Sequence, residues 1–140
     1  MVSQTEAPAI SSASNITACG SSITPDCLRA LYSIDNYQAD HACGSLFGVC
    51  GFLKEYAKYD ALGVFLDKYA PYAAGLQNFT YIQINGGLAT QNDSVDDDVE
   101  TNLDIQYAAS LGFNEKINFY STGGLGLLIP DLDQPEPSSN

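Results

Sequence analysis

Basic residues are scarce in this chain of 140 residues: five Lys and Arg stand against seventeen Asp and Glu, for a formal charge of −12. Such a surface repels phosphate backbones and anionic lipid, which excludes nucleic acid and anionic membranes as partners. It suits a protein that works in acid, where many carboxylates carry a proton and self-repulsion falls. Simple solubility accounts for the same composition, and composition does not choose between the two. No apolar run approaches the roughly eighteen residues of a membrane-spanning helix. Met1 to Ser14 has neither a basic region nor an apolar block, so it is not a signal peptide. If the protein is secreted, its signal and any pro-segment lie outside this sequence. One histidine and no Cys-x-x-Cys leave too few ligands for a zinc site. No internal repeat is visible.

What is present describes an ordinary globular chain. Hydrophobic residues make up 45%, so this is no disordered acidic tail, and the length suits one domain with a real core. The four cysteines, at 19, 27, 43 and 50, form an even set that suggests disulfides and an oxidising compartment. Cys19–Cys27 with Cys43–Cys50 is the favoured pairing, since each closes a short local loop; two other pairings are open. Asn-x-Ser/Thr sequons at Asn15, Asn78 and Asn92 lean towards a secretory route.

Residues 1–22 are rich in Ser, Thr and Ala and read as an extended lead-in. Thr24-Pro25 is an N-cap followed by proline, predicting a helix from Pro25 to Tyr32 with Leu28 and Leu31 inward. Leu46 to Phe52 is a short apolar run with glycines and reads as a buried strand. Asp60 caps a helix to Tyr69, with Leu62, Phe65, Leu66 and Tyr69 as its core face and Pro71 as its stop. Phe79 to Asn85 alternates and is rich in aromatic and β-branched residues, predicting a strand ended by Gly86-Gly87. Residues 88–96 form a polar loop, a helix follows to Gly112 as its C′ residue, and Ile117 to Ser121 is a third strand. Strand, helix, strand, helix, strand implies right-handed crossovers and a parallel sheet with helices on its faces. The tail from Pro130 to Asn140 reads as a linker or cut end.

The chemistry concentrates in the last helix. Glu100 and Asp104 lie four residues apart and stack on one helical face. Val99, Leu103, Tyr107 and Leu111 repeat beside them as an apolar stripe, which sets the carboxylates at the margin of a buried face. Two like charges there favour one group that keeps its proton to higher pH, a pair suited to acid–base work in acid. Structural capping is the competing reading: Asp97 serves as N-cap and Glu100 fills the third position of a capping box. The acidic run Asn92 to Asp98 lacks the glycine and spacing of a calcium loop. Gly123-Gly124-Leu125-Gly126 lacks the Lys-Ser/Thr of a phosphate loop and reads as a flexible turn where ligands approach open α/β sheets. His41 reads as a surface histidine.

Glu100-Thr101-Asn102-Leu103-Asp104-Ile105-Gln106-Tyr107-Ala108 resembles the catalytic helix of the sedolisins, the serine-carboxyl peptidases, in their fungal tripeptidyl-peptidase-like branch. Three further segments fit in order. Ile23 to Tyr32 is similar to the start of the mature catalytic domain, Leu46 to Tyr56 to its first core strand, and Phe79 to Gly87 to the next. The likeness covers Cys19 to Gly124, and residues 23–129 read as the N-terminal part of the catalytic domain.

The resemblance implies a subtilisin-like α/β fold, a parallel sheet flanked by helices. It implies a serine nucleophile activated by Glu100 as general base, with Asp104 behind it, in an enzyme active at acid pH. The family's nucleophile sits in a Gly-Thr-Ser motif far downstream, and nothing like it occurs here. The oxyanion-stabilising aspartate also lies later, and Ser121 is in no matching motif. The family's calcium site lies near its C-terminal end, so this chain itself is expected to hold no cofactor. Two readings follow. In one, the chain works only with the remaining C-terminal part of the peptidase, on peptide or protein substrates, extracellularly or in an acidic vacuolar or lysosomal compartment. In the other, it is a truncated, non-catalytic homologue that acts as a binding protein. An acidic calcium-binding module is a weaker third.

Overall fold

A computed structural model describes residues 19–92, 98–127, 129–133 and 135. The lead-in over 1–22 and the tail over 130–140 therefore fall largely outside the described residues. So does the loop at 93–97.

Among the described residues three α-helices and three strands alternate: α1 Pro25–Leu31, β1 Leu46–Gly51, α2 Tyr59–Tyr69, β2 Thr80–Ile84, α3 Val99–Leu111 and β3 Lys116–Thr122, with a 3-10 turn at His41–Cys43. The expected order of elements is therefore present. The strands form one parallel sheet in the order β1-β3-β2, with Val49 opposite Phe119 and Tyr81 opposite Phe119 on the other side. The expected α/β class holds, as a small three-stranded parallel sheet with helices packed on it.

Each helix has a local reason to start and a tertiary reason to stay. In α1 the Thr24 hydroxyl accepts from Cys27 N at 3.3 Å and Pro25 needs no N–H partner. Cys19–Cys27 is a disulfide, as expected, and ties α1 to the segment before it. The expected inward pair holds in part, with Leu28 half-buried. Leu31 is 63% exposed, and α1 instead buries Pro25, Cys27 and Arg29. Arg29 goes inside because α3 ends there: its guanidinium donates to the carbonyls of Ser110 and Leu111 at 3.4 and 3.2 Å and to Tyr37 O. These are the free carbonyls a helix leaves at its C-terminus, and a cation there also opposes the helix dipole. Gly112 is the C-cap of α3 but has φ −90°, so the left-handed residue expected there comes at Asn114, φ 74°.

α2 buries Leu62 and Leu66, with Phe65 and Tyr69 half-buried, and stops before Pro71 as expected. Its N-cap position is Lys58 rather than Asp60, without a side-chain cap. With Ile105 and Ala109 of α3, these residues cover one face of the sheet, packed on Val49, Ile117 and Phe119. Phe79, Tyr81 and Phe119 add tilted and edge-on ring contacts at centroid distances of 5.1 to 6.1 Å.

Two expectations, the burial of β1 and the second cysteine pairing, are corrected. β1 is not a buried strand. Among the described residues it pairs only with β3, and it exposes Leu46, Phe47, Gly48 and Cys50. Among the described residues α2 and α3 both pack on the face of Val49, Ile117 and Phe119. The second pairing of cysteines is also absent, since Cys43 and Cys50 are free and exposed. Cys43 precedes β1 and Cys50 is its fifth residue. An extended strand rises about 3.3 Å per residue, which carries the two Cα atoms beyond the roughly 7 Å that a disulfide spans.

Burial raises the Asp26 carboxyl above its ordinary value of 3.8, with Arg29 opposing. The folded chain thus holds this proton more tightly than the unfolded chain. The resulting stabilisation is present below 3.8 and is lost as pH rises through the raised value. Asp26→Asn is expected to raise the thermal midpoint at about pH 7 and to leave it nearly unchanged at about pH 3. Equal gains at both, read by circular dichroism, would contradict this.

Candidate active site

The start of α3 is locked to the chain that leaves β1. That exit turns sharply: Leu53 and Lys54 both take left-handed φ, 57° and 64°, and Glu55 N donates to Phe52 O at 3.0 Å. The next four residues meet the first turn of α3. Glu55 Oε2 accepts from Thr101 N at 3.3 Å, and Asp98 Oδ1 accepts from Tyr56 N at 2.5 Å. Lys58 N donates to Asn102 Oδ1 at 2.9 Å. Lys58 Nζ lies 2.9 Å from Asp98 Oδ2 and donates to Thr90 O at 2.9 Å. Both side chains of the ion pair are buried, at 4% and 1% exposure. In a low-dielectric site this pairing is strongly directional, since either charge alone would be very costly. The Asp98 carbonyl also accepts from Asn102 Nδ2 and Thr101 Oγ1, at 2.8 and 3.3 Å.

Asp98 is thus the N-cap residue of α3, yet its carboxylate caps nothing within the helix and serves Lys58 and Tyr56 instead. The expected cap, Asp97, lies outside the described residues. With Asp98 as N-cap, Glu100 occupies the second helical position, and the orphan N–H of Thr101 is met by Glu55. None of Glu55, Lys58, Asp98 or Asn102 stood out in the sequence. Asp98 closes an acidic run that reads as solvated, and no local spacing links it to a lysine forty residues earlier.

Glu100 and Asp104 both lie on α3 and both are exposed. The helix turns a different side inward than expected. Thr101, Asn102, Ile105, Ala109 and Ser110 are buried, whereas Val99 and Leu103 are 67% and 52% exposed. The apolar stripe beside the carboxylates therefore belongs to an open surface. Asp104 lines a groove of about 940 Å³ with Phe47, Val49, Leu103, Tyr107 and Leu111, alongside the free edge of β1. Because the β1 exit meets the α3 start, Glu100 sits at the end of the sheet where the strands finish. A second open pocket, about 660 Å³, lies at that end among Phe52, Leu53, Thr122 and residues 123–127. Ligands of open α/β sheets approach there.

The glycines after the strands have a packing role. A Cβ on Gly87 would lie 1.9 Å from Ser121 O, and one on Gly123 2.4 Å from Asn85 O. The two strand exits touch backbone to backbone. His41 is exposed, as expected, with Nδ1 3.2 Å from Asn114 O. Among the described residues no group of three or more His, Cys, Asp or Glu side chains converges. Part of the acidic run at 92–98 lies outside them. Asn78 and Asn92 are exposed, and Asn15 lies outside the described residues.

The chain is 44% identical over 122 residues to a probable tripeptidyl-peptidase SED3 of Arthroderma benhamiae, a match of 87% of this chain and 20% of that protein. A probable tripeptidyl-peptidase SED3 of Trichophyton verrucosum is 43% identical over 132 residues, 94% of this chain and 22% of the relative. The tripeptidyl-peptidase SED2 of Arthroderma otae is 43% identical over 129 residues, 92% and 21% respectively. No family model matches the chain, and no solved structure does. An α/β segment that shares this much sequence with peptidases is a peptidase-family segment. The chain belongs to the sedolisin family and spans about a fifth of the length of these relatives.

Lys58→Met leaves Asp98 buried without its cation and is expected to cost about 3–5 kcal/mol of folding stability. Adding Asp98→Asn, which keeps an acceptor for Tyr56 N, is expected to recover a large part of that loss. Urea midpoints of the single and double variants measure the coupling. Additive losses would contradict a paired charge.

Proposed function

We propose that this chain supplies the acid–base carboxylates of a sedolisin that hydrolyses peptide bonds in acid. In this reading Glu100 takes the proton from a serine hydroxyl as its oxygen attacks the peptide carbonyl. The same group then gives that proton to the leaving amine. Asp104, one turn along, holds the other side of the Glu100 carboxyl and orients it. The nucleophile comes from the remaining part of the enzyme, and the substrate is a peptide or protein. The complete domain is subtilisin-like, with its sheet extended beyond these strands, and calcium belongs to that remainder.

One observation carries the reading. Glu100 and Asp104 stand four residues apart on one exposed side of a helix that is locked, at its first turn, to the sheet's ligand-facing end. A capping role alone does not account for it, because the first-turn N–H of Thr101 is met by Glu55. The named relatives are tripeptidyl-peptidases, which favours removal of short peptides over internal cleavage. A disulfide and exposed sequon asparagines at 78 and 92 fit a secreted protein or an acidic vacuolar or lysosomal one.

A second reading is a truncated homologue that binds partners without catalysis. The intact mass of the natural protein under denaturing conditions separates the two: a companion polypeptide or a longer chain supports the peptidase, and a lone 140-residue species supports the binding protein.

In the complete enzyme, Glu100→Gln is expected to lower kcat by about a thousandfold or more, with folding unchanged. Turnover near that of the parent would reduce Glu100 to a helix-start residue. Activity is expected to peak below about pH 5, within the carboxyl range. An optimum near neutrality would argue for another base.

A further inference from the structure

The parallel strands start at one end of the sheet and finish at the other, and Glu100 stands at the finishing end. At the starting end a polar groove of about 330 Å³ runs between the turn before β2 and the turn before β3, where Gln77, Asn78, Thr80, Asn114, Glu115 and Lys116 line it. Gln77 ties the two turns together. Its Oε1 accepts from Asn114 N at 3.0 Å and its Nε2 donates to Glu115 O at 2.8 Å. Asn78 follows and opens the sequon Asn78-Phe79-Thr80. Phe79 is buried in the core and stacks on Tyr59 at 4.5 Å, while Asn78 and Thr80 on either side of it are exposed. This is the alternation of an extended chain, and the buried ring fixes which residues it turns outward. Asn78 Oδ1 accepts from Phe79 N at 2.9 Å. That bond occupies the amide oxygen and leaves Nδ2, the nitrogen to which N-linked sugar attaches, open to attachment.

We propose that Asn78 is a modification site and carries an N-linked oligosaccharide whose first sugar stands beside the polar groove. The donor is a lipid-diphosphate-linked oligosaccharide of the secretory route. Asn78 Nδ2 forms a bond to C1 of the first sugar and gives up a proton. The C1–O bond to the diphosphate breaks, and the lipid diphosphate leaves. Transfer precedes folding, so the fold has only to tolerate the product. It does so here: the Asn78 side chain is exposed, and among the described residues β2 pairs on one side only. The five residues of β2 also carry the sugar about 17 Å from the strand exits, away from Glu100. Asn92 is exposed as well, but it follows Thr90 and Gln91, which are bonded to Lys58 and Ala57 at the finishing end. A sugar there would stand on the catalytic side. The inference rests on the secreted form of the peptidase reading and adds which sequon is used and which end of the sheet the sugar occupies.

The protein purified from its natural source tests it. A peptide N-glycan amidase acting in heavy-oxygen water turns a sugar-bearing asparagine into an aspartate that holds the heavy isotope, read by peptide mass spectrometry. The inference expects this mark on Asn78 in most molecules. An unmarked Asn78 overturns it, and so does a mark on Asn92 with Asn78 bare. In the complete enzyme made by a secreting eukaryotic host, Asn78→Gln and Thr80→Ala are each expected to remove one oligosaccharide from the intact mass, and Thr80→Ser to keep it. Thr80→Ala leaves the Asn78 side chain in place, so it decides the matter if Asn78→Gln disturbs the turn. A sugar retained in Thr80→Ala overturns the site. Both sugar-free variants are expected to keep kcat within about twofold of the parent, and a folded variant that loses about tenfold or more overturns the placement away from Glu100. The mass readout is independent of turnover. A marked Asn78 in a protein without peptidase activity would sink the catalytic reading alone, and a bare Asn78 in an active secreted enzyme would sink the sugar alone.

Discussion

The Lys58–Asp98 ion pair is the contact on which the placement of the acidic helix depends. It joins two segments forty residues apart in sequence at the one point where β1 ends and α3 begins. Around it the Tyr56 N, Lys58 N and Thr101 N groups all find carboxylate or amide oxygens across the same junction. An ion pair this deeply buried contributes little net stability relative to a well-packed apolar pair. What it contributes is registration, because a slipped helix would strand both charges. The left-handed turn at Leu53 and Lys54 fits that account: a sharp reversal of non-glycine residues persists where its surroundings dictate it. At the far end, Arg29 receives the last carbonyls of α3. The helix is therefore held at both ends by buried cations while its middle packs on the sheet through Ile105 and Ala109.

That arrangement leaves the catalytic-looking side of α3 free. Glu100, Leu103 and Asp104 face outward because Thr101, Asn102, Ile105 and Ala109 face in. The sheet shows the same asymmetry on a larger scale, with a packed face built of Val49, Ile117 and Phe119 and a bare face carrying Cys50, Ile82 and Ile84.

The element order was legible in the sequence because its signals are local. Thr24-Pro25, the alternation from Phe79 to Asn85, and Pro71 each act within a few residues, and each element appears where those signals put it. The pairing Cys19–Cys27 was legible for the same reason. What misled was any inference from apolarity to burial. Val99, Leu103, Leu31 and Phe47 are apolar and yet exposed. Periodicity alone therefore selected the wrong inward face of α3. The Glu55, Lys58 and Asn102 contacts were illegible for a different reason: they are long-range and polar, and nothing in their local spacing marks them. The motif that singled out Glu100 and Asp104 places both on one exposed side of α3.

The most direct test is a structure of the complete natural protein bound to a peptide aldehyde that captures a serine nucleophile. The account predicts that a carboxylate oxygen of Glu100 lies within hydrogen-bond distance of that serine oxygen, with Asp104 on the far side of the Glu100 carboxyl. A structure in which both carboxylates face bulk water, remote from the bound peptide, would contradict it.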